Sequence, residues 1–247
     1  VEFRNGESGL HVLHIQTITE MLLRQLVQKE NNRYALSKEQ IRMITTASAL
    51  HDIGKISIPD EILNKPGRLT AEEFAVIKGH SMAGANMLSE LPLDQKEEPL
   101  VKTAYEICRW HHERYDGGGY PDGLKGEEIP VSAQVVALAD VYDALTSERC
   151  YKDAYSHEKA IEMILAGQCG AFNPLMLECL LDISSSLKKK MGYKSKERYE
   201  QTDLSDIASR FHDFEMDSSE KIVQQLEFER MRYNFLAEGS RNIVFTY

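Results

Sequence analysis

The run His111 to Pro121, HHERYDGGGYP, constrains the fold more than any other stretch. Gly117, Gly118 and Gly119, followed by Pro121, Asp122 and Gly123, cannot sustain a helix, since glycine loses most entropy on ordering and proline lacks the amide hydrogen. A loop therefore interrupts the middle of the chain, with two adjacent histidines at its head.

Helical periodicity dominates on both sides of that loop. Residues 10–30 place Leu10, Leu13, Ile18, Met21, Leu22 and Leu26 at mixed three- and four-residue steps, and residues 37–50 open on a Ser37 cap followed by Glu39 and Gln40. Thr70 with Glu73 forms a capping box for a helix that runs past His80 toward Leu91, where Pro92 stops it. Further helices are predicted from about Glu98 to His112, from Val131 to Leu145 carrying Asp140, and over 156–168 and 174–190. The predicted fold is all-α: a multi-helix bundle over residues 1–187 with a C-terminal helical extension over 188–247. Within the extension, Lys188 to Arg198 is basic and polar, Asp203 to Phe235 reads as one or two amphipathic helices, and Ile243 to Tyr247 is strand-like. The ending suggests the first strand of a neighbouring domain, and the start at Val1 suggests a piece of a longer protein.

Composition excludes several function classes. With 42% hydrophobic and 28% charged residues in 247, the chain has the material for one large core or a core plus an appendage. A net charge of −10 argues against general affinity for DNA, RNA or anionic membranes, which need a basic surface. It does not exclude a small anionic ligand, because bound cations reverse the potential inside a pocket. Cys108, Cys150, Cys169 and Cys179 form no C-x-x-C pair, so reduced thiols are expected. No apolar run approaches the ~18 residues of a membrane span and no signal peptide opens the chain, so a cytoplasmic location is predicted.

The candidate site residues are histidines and carboxylates. His51-Asp52 lies among small and apolar neighbours, where an uncompensated His and Asp would be costly, and metal coordination would compensate both. His80 alone reads more readily as a helix-surface or satisfied core histidine than as a ligand. His111 and His112, diverging by about 100° if helical, suit two ions better than chelation of one. Asp140 lies in an apolar helix, either as a ligand or as a core aspartate with a partner. Glu7 and His11 stand four apart, on one helical face. Lys55, three residues past Asp52, places a cation near the same face, while Tyr120 serves either to stack on a base or to anchor its loop. Glu113 and Asp116 are expected to orient histidines or cap the loop. His14, His157 and His212 fall outside every motif and read as structural or exposed.

HDIGK at 51–55, His80 in GHSMAGA, HHERYDGGGYP at 111–121 and ADVYDALTSERCYK at 139–152 together resemble HD-GYP domains, a branch of the HD hydrolase superfamily. The resemblance spans about residues 7–185. It implies an all-helical phosphodiesterase of the bacterial messenger cyclic di-GMP with two or three divalent metals, iron first and manganese second. Carried over position by position, the implied ligands are His51, Asp52, His80, His111, His112 and Asp140, with Asp52 bridging two ions, and Glu7 and His11 adding a third. Lys55, Arg149 and Lys152 match residues near the ligand phosphates, and Gly119, Tyr120 and Pro121 fall in the loop that lines the pocket. The expected reaction is attack by a hydroxide held between the metals, giving pGpG or GMP, with Asp52 and Lys55 as the catalytic residues. The alternatives are hydrolysis of another cyclic dinucleotide, or a module that binds the messenger or a partner protein without turnover. Linked sensory or signalling domains and a homodimer are the partners such a helical extension suggests.

Overall fold

The computed structural model describes residues 10–30, 32–147 and 154–192. The chain divides into two units, Val1–Lys194 and Ser195–Tyr247, and all described residues belong to the first. Glu7, Arg149, Lys152, Cys150, His212 and residues 193–247 of the expected 188–247 extension lie outside the described residues. Those described form helices and loops with no strand.

Helix α1 (Leu10–Leu26) buries Ile15, Ile18, Leu22, Leu23 and Leu26 completely. Each such side chain contributes about 1.5–3 kcal/mol by leaving water. Helix α2 (Lys38–Ala47) begins at a reciprocal cap: the Gln40 amide donates to Ser37 Oγ at 3.1 Å, and the Ser37 amide to the Gln40 side chain at 2.8 Å. The chain then tightens into a 3-10 turn, Ser48–Leu50, passes through His51 and Asp52, and makes a second 3-10 turn, Ile53–Ser57. A single helical turn, α3 (Asp60–Leu63), follows.

Helix α4 (Ala71–Ser89) starts at the Thr70 and Glu73 box, reinforced by Lys65 Nζ at 2.7 Å from the Glu73 carboxylate. Pro92 ends that segment and opens a further short turn, α5 (Leu93–Lys96), that periodicity did not suggest. Helix α6 (Pro99–Trp110) takes its proline at the first position, where no amide hydrogen is needed. Helix α7 (Val131–Thr146) is buried all round from Ser132 to Ala139, which makes it a central helix of the bundle. Helices α8 (His157–Leu165) and α9 (Pro174–Gly192) complete the set, α9 running on past Leu187.

Helix α1 packs on α2, α7 and α9, while α6 packs between α4, α2 and α7. The 3-10 turn at 53–57 lies directly on α4. Their backbones meet at Gly54, where a Cβ would stand 1.9 Å from the His80 carbonyl oxygen and 2.4 Å from the Gly84 nitrogen. This approach holds Asp52 against His80. Among the described residues no helix is long and apolar enough to cross a membrane.

Candidate metal centre

Five segments deliver side chains to one place: α1, the turn between the two 3-10 helices, α4, the end of α6, and α7. Asp52, His80, His111 and His112 form one group whose ligand atoms lie within 4.8 Å of one another, and His11, His51 and Asp140 form a second. Asp52 faces both groups. Its Oδ1 is 3.2 Å from His80 Nε2 and 3.9 Å from His111 Nε2, while its Oδ2 is 3.2 Å from His51 Nε2. Asp140 Oδ1 stands 3.9 Å from His11 Nε2 and 4.0 Å from His51 Nε2.

The histidines are aimed by what their other nitrogen does. Nδ1 of His51 donates to the Ser48 carbonyl at 2.9 Å, that of His80 to Ile77 at 2.6 Å, and that of His111 to Ile107 at 2.8 Å. A ring that donates through Nδ1 presents Nε2 inward, the tautomer a metal requires. His80 and His111 bring their Nε2 atoms to 3.4 Å, as do His11 and His51. Converging ring nitrogens and carboxylates of this kind fit a borderline divalent cation, and the site is compatible with divalent metal binding.

Electrostatics sorts the imidazoles. Burial pulls His51 down, but the Asp52 and Asp140 carboxylates outweigh it and raise the group to about 9. Burial, reinforced by the neighbouring His51 and His80 rings, drops His111 to about 3 and, with His111 and His80, holds His112 well below its usual value. Burial opposes the charge on Asp52, yet Lys55 and His51 hold it well below the carboxylate range. Lys55 Nζ sits 2.6 Å from Asp52 Oδ2, because the i and i+3 side chains of a 3-10 turn eclipse.

Helix α6 stops at Trp110, so His111 and His112 are a cap and a turn rather than successive helical residues. Their rings end 4.0 Å apart, tilted by 43°, and both belong to one ligand group, in contrast to the divergence expected of a helix. Tyr120 stacks on His112 at 4.9 Å and 26°. The loop that carries it is held by Glu113, a buried carboxylate that accepts the amides of Asp122, Gly123 and Leu124 at 2.7, 3.0 and 3.1 Å. Asp116 accepts the Gly118 amide at 2.9 Å. Both acids cap the loop, and Gly119 is required there, since a Cβ would lie 2.3 Å from the Arg114 nitrogen. Pro121 follows Tyr120 through a cis peptide bond.

Asp143 is a site residue that motif reading passed over. It is buried on α7 and accepts from His11 Nδ1 at 2.7 Å, His14 Nδ1 at 2.6 Å and Ser147 Oγ at 2.9 Å. His14 therefore has a structural place beside the centre. His157, away from it, bridges Tyr142 and Ser184 at 2.7 Å each. The signal available in the sequence was the spacing of Asp143 from Asp140, one turn along an apolar helix.

A family model described as HD domain matches residues 10–172. The chain belongs to the HD domain family. Within it, the order of the four motifs and the Gly119-Tyr120-Pro121 run resemble the HD-GYP branch. It is 42% identical over 186 residues to a probable cyclic di-GMP phosphodiesterase of Vibrio cholerae, covering 73% of this chain and 41% of that protein. It is 39% identical over 182 residues to a 3'3'-cGAMP-specific phosphodiesterase of the same organism, covering 74% and 32%. The chain thus spans less than half the length of these curated relatives. Its fold matches that of Bd1817, an HDG"Y"P protein from Bdellovibrio bacteriovorus, with a TM-score of 0.53 at 22% identity over 70% of this chain and 51% of that one.

Proposed function

We propose that this domain is a metal-dependent phosphodiesterase that hydrolyses cyclic di-GMP to linear pGpG, to GMP, or to both. Water adds to phosphorus, the bond to one ribose oxygen breaks, and that oxygen leaves protonated. In this reading His51, Asp52, His80, His111, His112 and Asp140 hold two divalent ions, with His11 and Glu7 serving a third. Iron comes first and manganese second, since imidazole and carboxylate donors suit both. Bound there, such ions supply Lewis acidity toward phosphate oxygens and lower the pKa of water.

One observation carries the reading: the two oxygens of Asp52 face two separate groups of histidines, the arrangement a carboxylate shared between two ions needs. Lys55 fixes that carboxylate and adds a positive charge beside it, where charge builds on a phosphoryl group. Gly119, Tyr120 and Pro121 supply a pocket wall next to His112. Arg149 and Lys152 complete the phosphate contacts in this reading. The activities for which the relatives are named, and the family, support the substrate class. The cytoplasm, where thiols such as Cys108 and Cys179 stay unpaired, is the proposed location. Linked sensory domains, a helical 188–247 linker and a homodimer belong to the same proposal.

The relative named for 3'3'-cGAMP keeps a second reading open, in which the mixed dinucleotide is the substrate. Iron-loaded protein incubated in parallel with cyclic di-GMP and 3'3'-cGAMP distinguishes them by product. Turnover of cyclic di-GMP is expected, with loss of at least a thousandfold in H51A and D52A. Binding without turnover would replace the enzyme with a messenger-binding module.

A further inference from the structure

Helix α4 carries two side chains, upstream of His80, that the metal centre leaves unused. Phe74 keeps 49% of its surface open. Lys78, one turn further, sets its ammonium 5.4 Å from the centre of the Phe74 ring and 5.6 Å from that of Tyr120. No carboxylate pairs with Lys78 among the described residues. Tyr120 in turn lies on His112, so the Tyr120 ring, the Lys78 cation and the open Phe74 ring run outward from the centre in that order.

A single exposed phenylalanine is ordinary on a protein surface. Its position beside a cation at the lip of a phosphate-cleaving site is not accounted for by packing. Cation–π attraction to two rings holds the lysine in place, which spares much of the rotamer entropy that binding would otherwise cost. Aromatic faces take nucleobases by stacking, and a lysine donates to the O6 and N7 acceptors that guanine presents on one edge. Adenine offers N7 but carries an amino donor where guanine has O6.

Building on the phosphodiesterase reading, we propose that Phe74 and Lys78 form the purine-recognition wall of this site, Phe74 stacking on a base and Lys78 donating to its acceptor edge. The wall favours guanine over adenine. Tyr120 closes it on the side of the metals.

The test compares substrates with and without bases on the full chain, loaded with iron or manganese. F74A is expected to raise KM for cyclic di-GMP about tenfold and to lower the ratio of kcat/KM for cyclic di-GMP to that for bis-p-nitrophenyl phosphate by a similar factor. F74Y should restore both, because it keeps the aromatic face. K78M should narrow the preference for cyclic di-GMP over cyclic di-AMP about tenfold. Metal per chain is measured in every variant. Wild-type turnover of cyclic di-GMP with KM unchanged in F74A and K78M would overturn the wall while leaving the phosphodiesterase reading intact. A KM rise accompanied by loss of metal would overturn it too, since these residues would then act through the fold. A wild-type protein that cleaves bis-p-nitrophenyl phosphate yet neither binds nor cleaves cyclic di-GMP would remove both.

Discussion

Asp143 shows how a residue outside the ligand groups governs one inside them. Burial alone would raise its pKa, but the hydrogen bonds from His11 and His14 hold it well below the usual carboxylate range. As an ionised acceptor it fixes the hydrogen of His11 on Nδ1 and turns Nε2 toward His51 and Asp140. An asparagine offers one acceptor and one donor to two imidazoles that both donate, so one ring must change tautomer or rotate. D143N is therefore expected to weaken metal binding about tenfold to a hundredfold, read by competition with a chromophoric chelator. Wild-type affinity in that variant would mean that the bond to His11 does no orienting. Motif reading found His11, His51, Asp52, His80, His111, His112 and Asp140, which the structure brings together, because ligand side chains recur at recognisable spacings. It missed Asp143 because that role is a contact between α7 and α1, and its one-turn spacing from Asp140 does not by itself name the histidines it meets.

The elements set these residues in register, and the tightest constraint is the backbone contact between Gly54 and α4. An alanine there has its Cβ against the main chain of His80 and Gly84, with no flexible side chain to yield. The turn and the helix must separate, and the separation falls on Asp52 and His80, which sit on either side of the contact. G54A is expected to cost about 1–3 kcal/mol or more by overpacking, seen as a lower urea midpoint, and to weaken metal uptake as well. Stability and uptake both at wild-type level would show that the contact positions nothing. The starts of α2 and α4 were legible from Ser37 and Thr70, whose chemistry acts within one turn. The switch to 3-10 geometry at Ser48 and the end of α6 before His111 were not. Those choices rest on packing against α1, α4 and α6, and local propensities for the two helix types are too alike to decide them.

At the scale of the whole molecule, the centre ties together segments from α1 to α7, so metal uptake, protonation and folding are linked. His51, raised to about 9, holds a proton at neutral pH in the metal-free protein, and His11 is raised as well: burial lowers it, but Asp143 and Asp140 outweigh that. His111 and His112 are neutral there already. The raised His51 contributes stability that is complete below about 6.5, its unfolded value, and is lost as pH climbs through about 9. A metal accepts only the neutral ring, so binding at pH 7 must expel that proton, while binding at pH 9.5 need not. Calorimetric titration of manganese into the metal-free chain, in two buffers of different ionisation enthalpy, counts the protons released. Release at pH 7 should exceed that at pH 9.5 by about one proton per chain, and H51Q should remove most of the difference. Equal release at the two pH values would show that the Asp52 and Asp140 carboxylates do not hold His51 charged, and that the centre is poised neutral before any ion arrives.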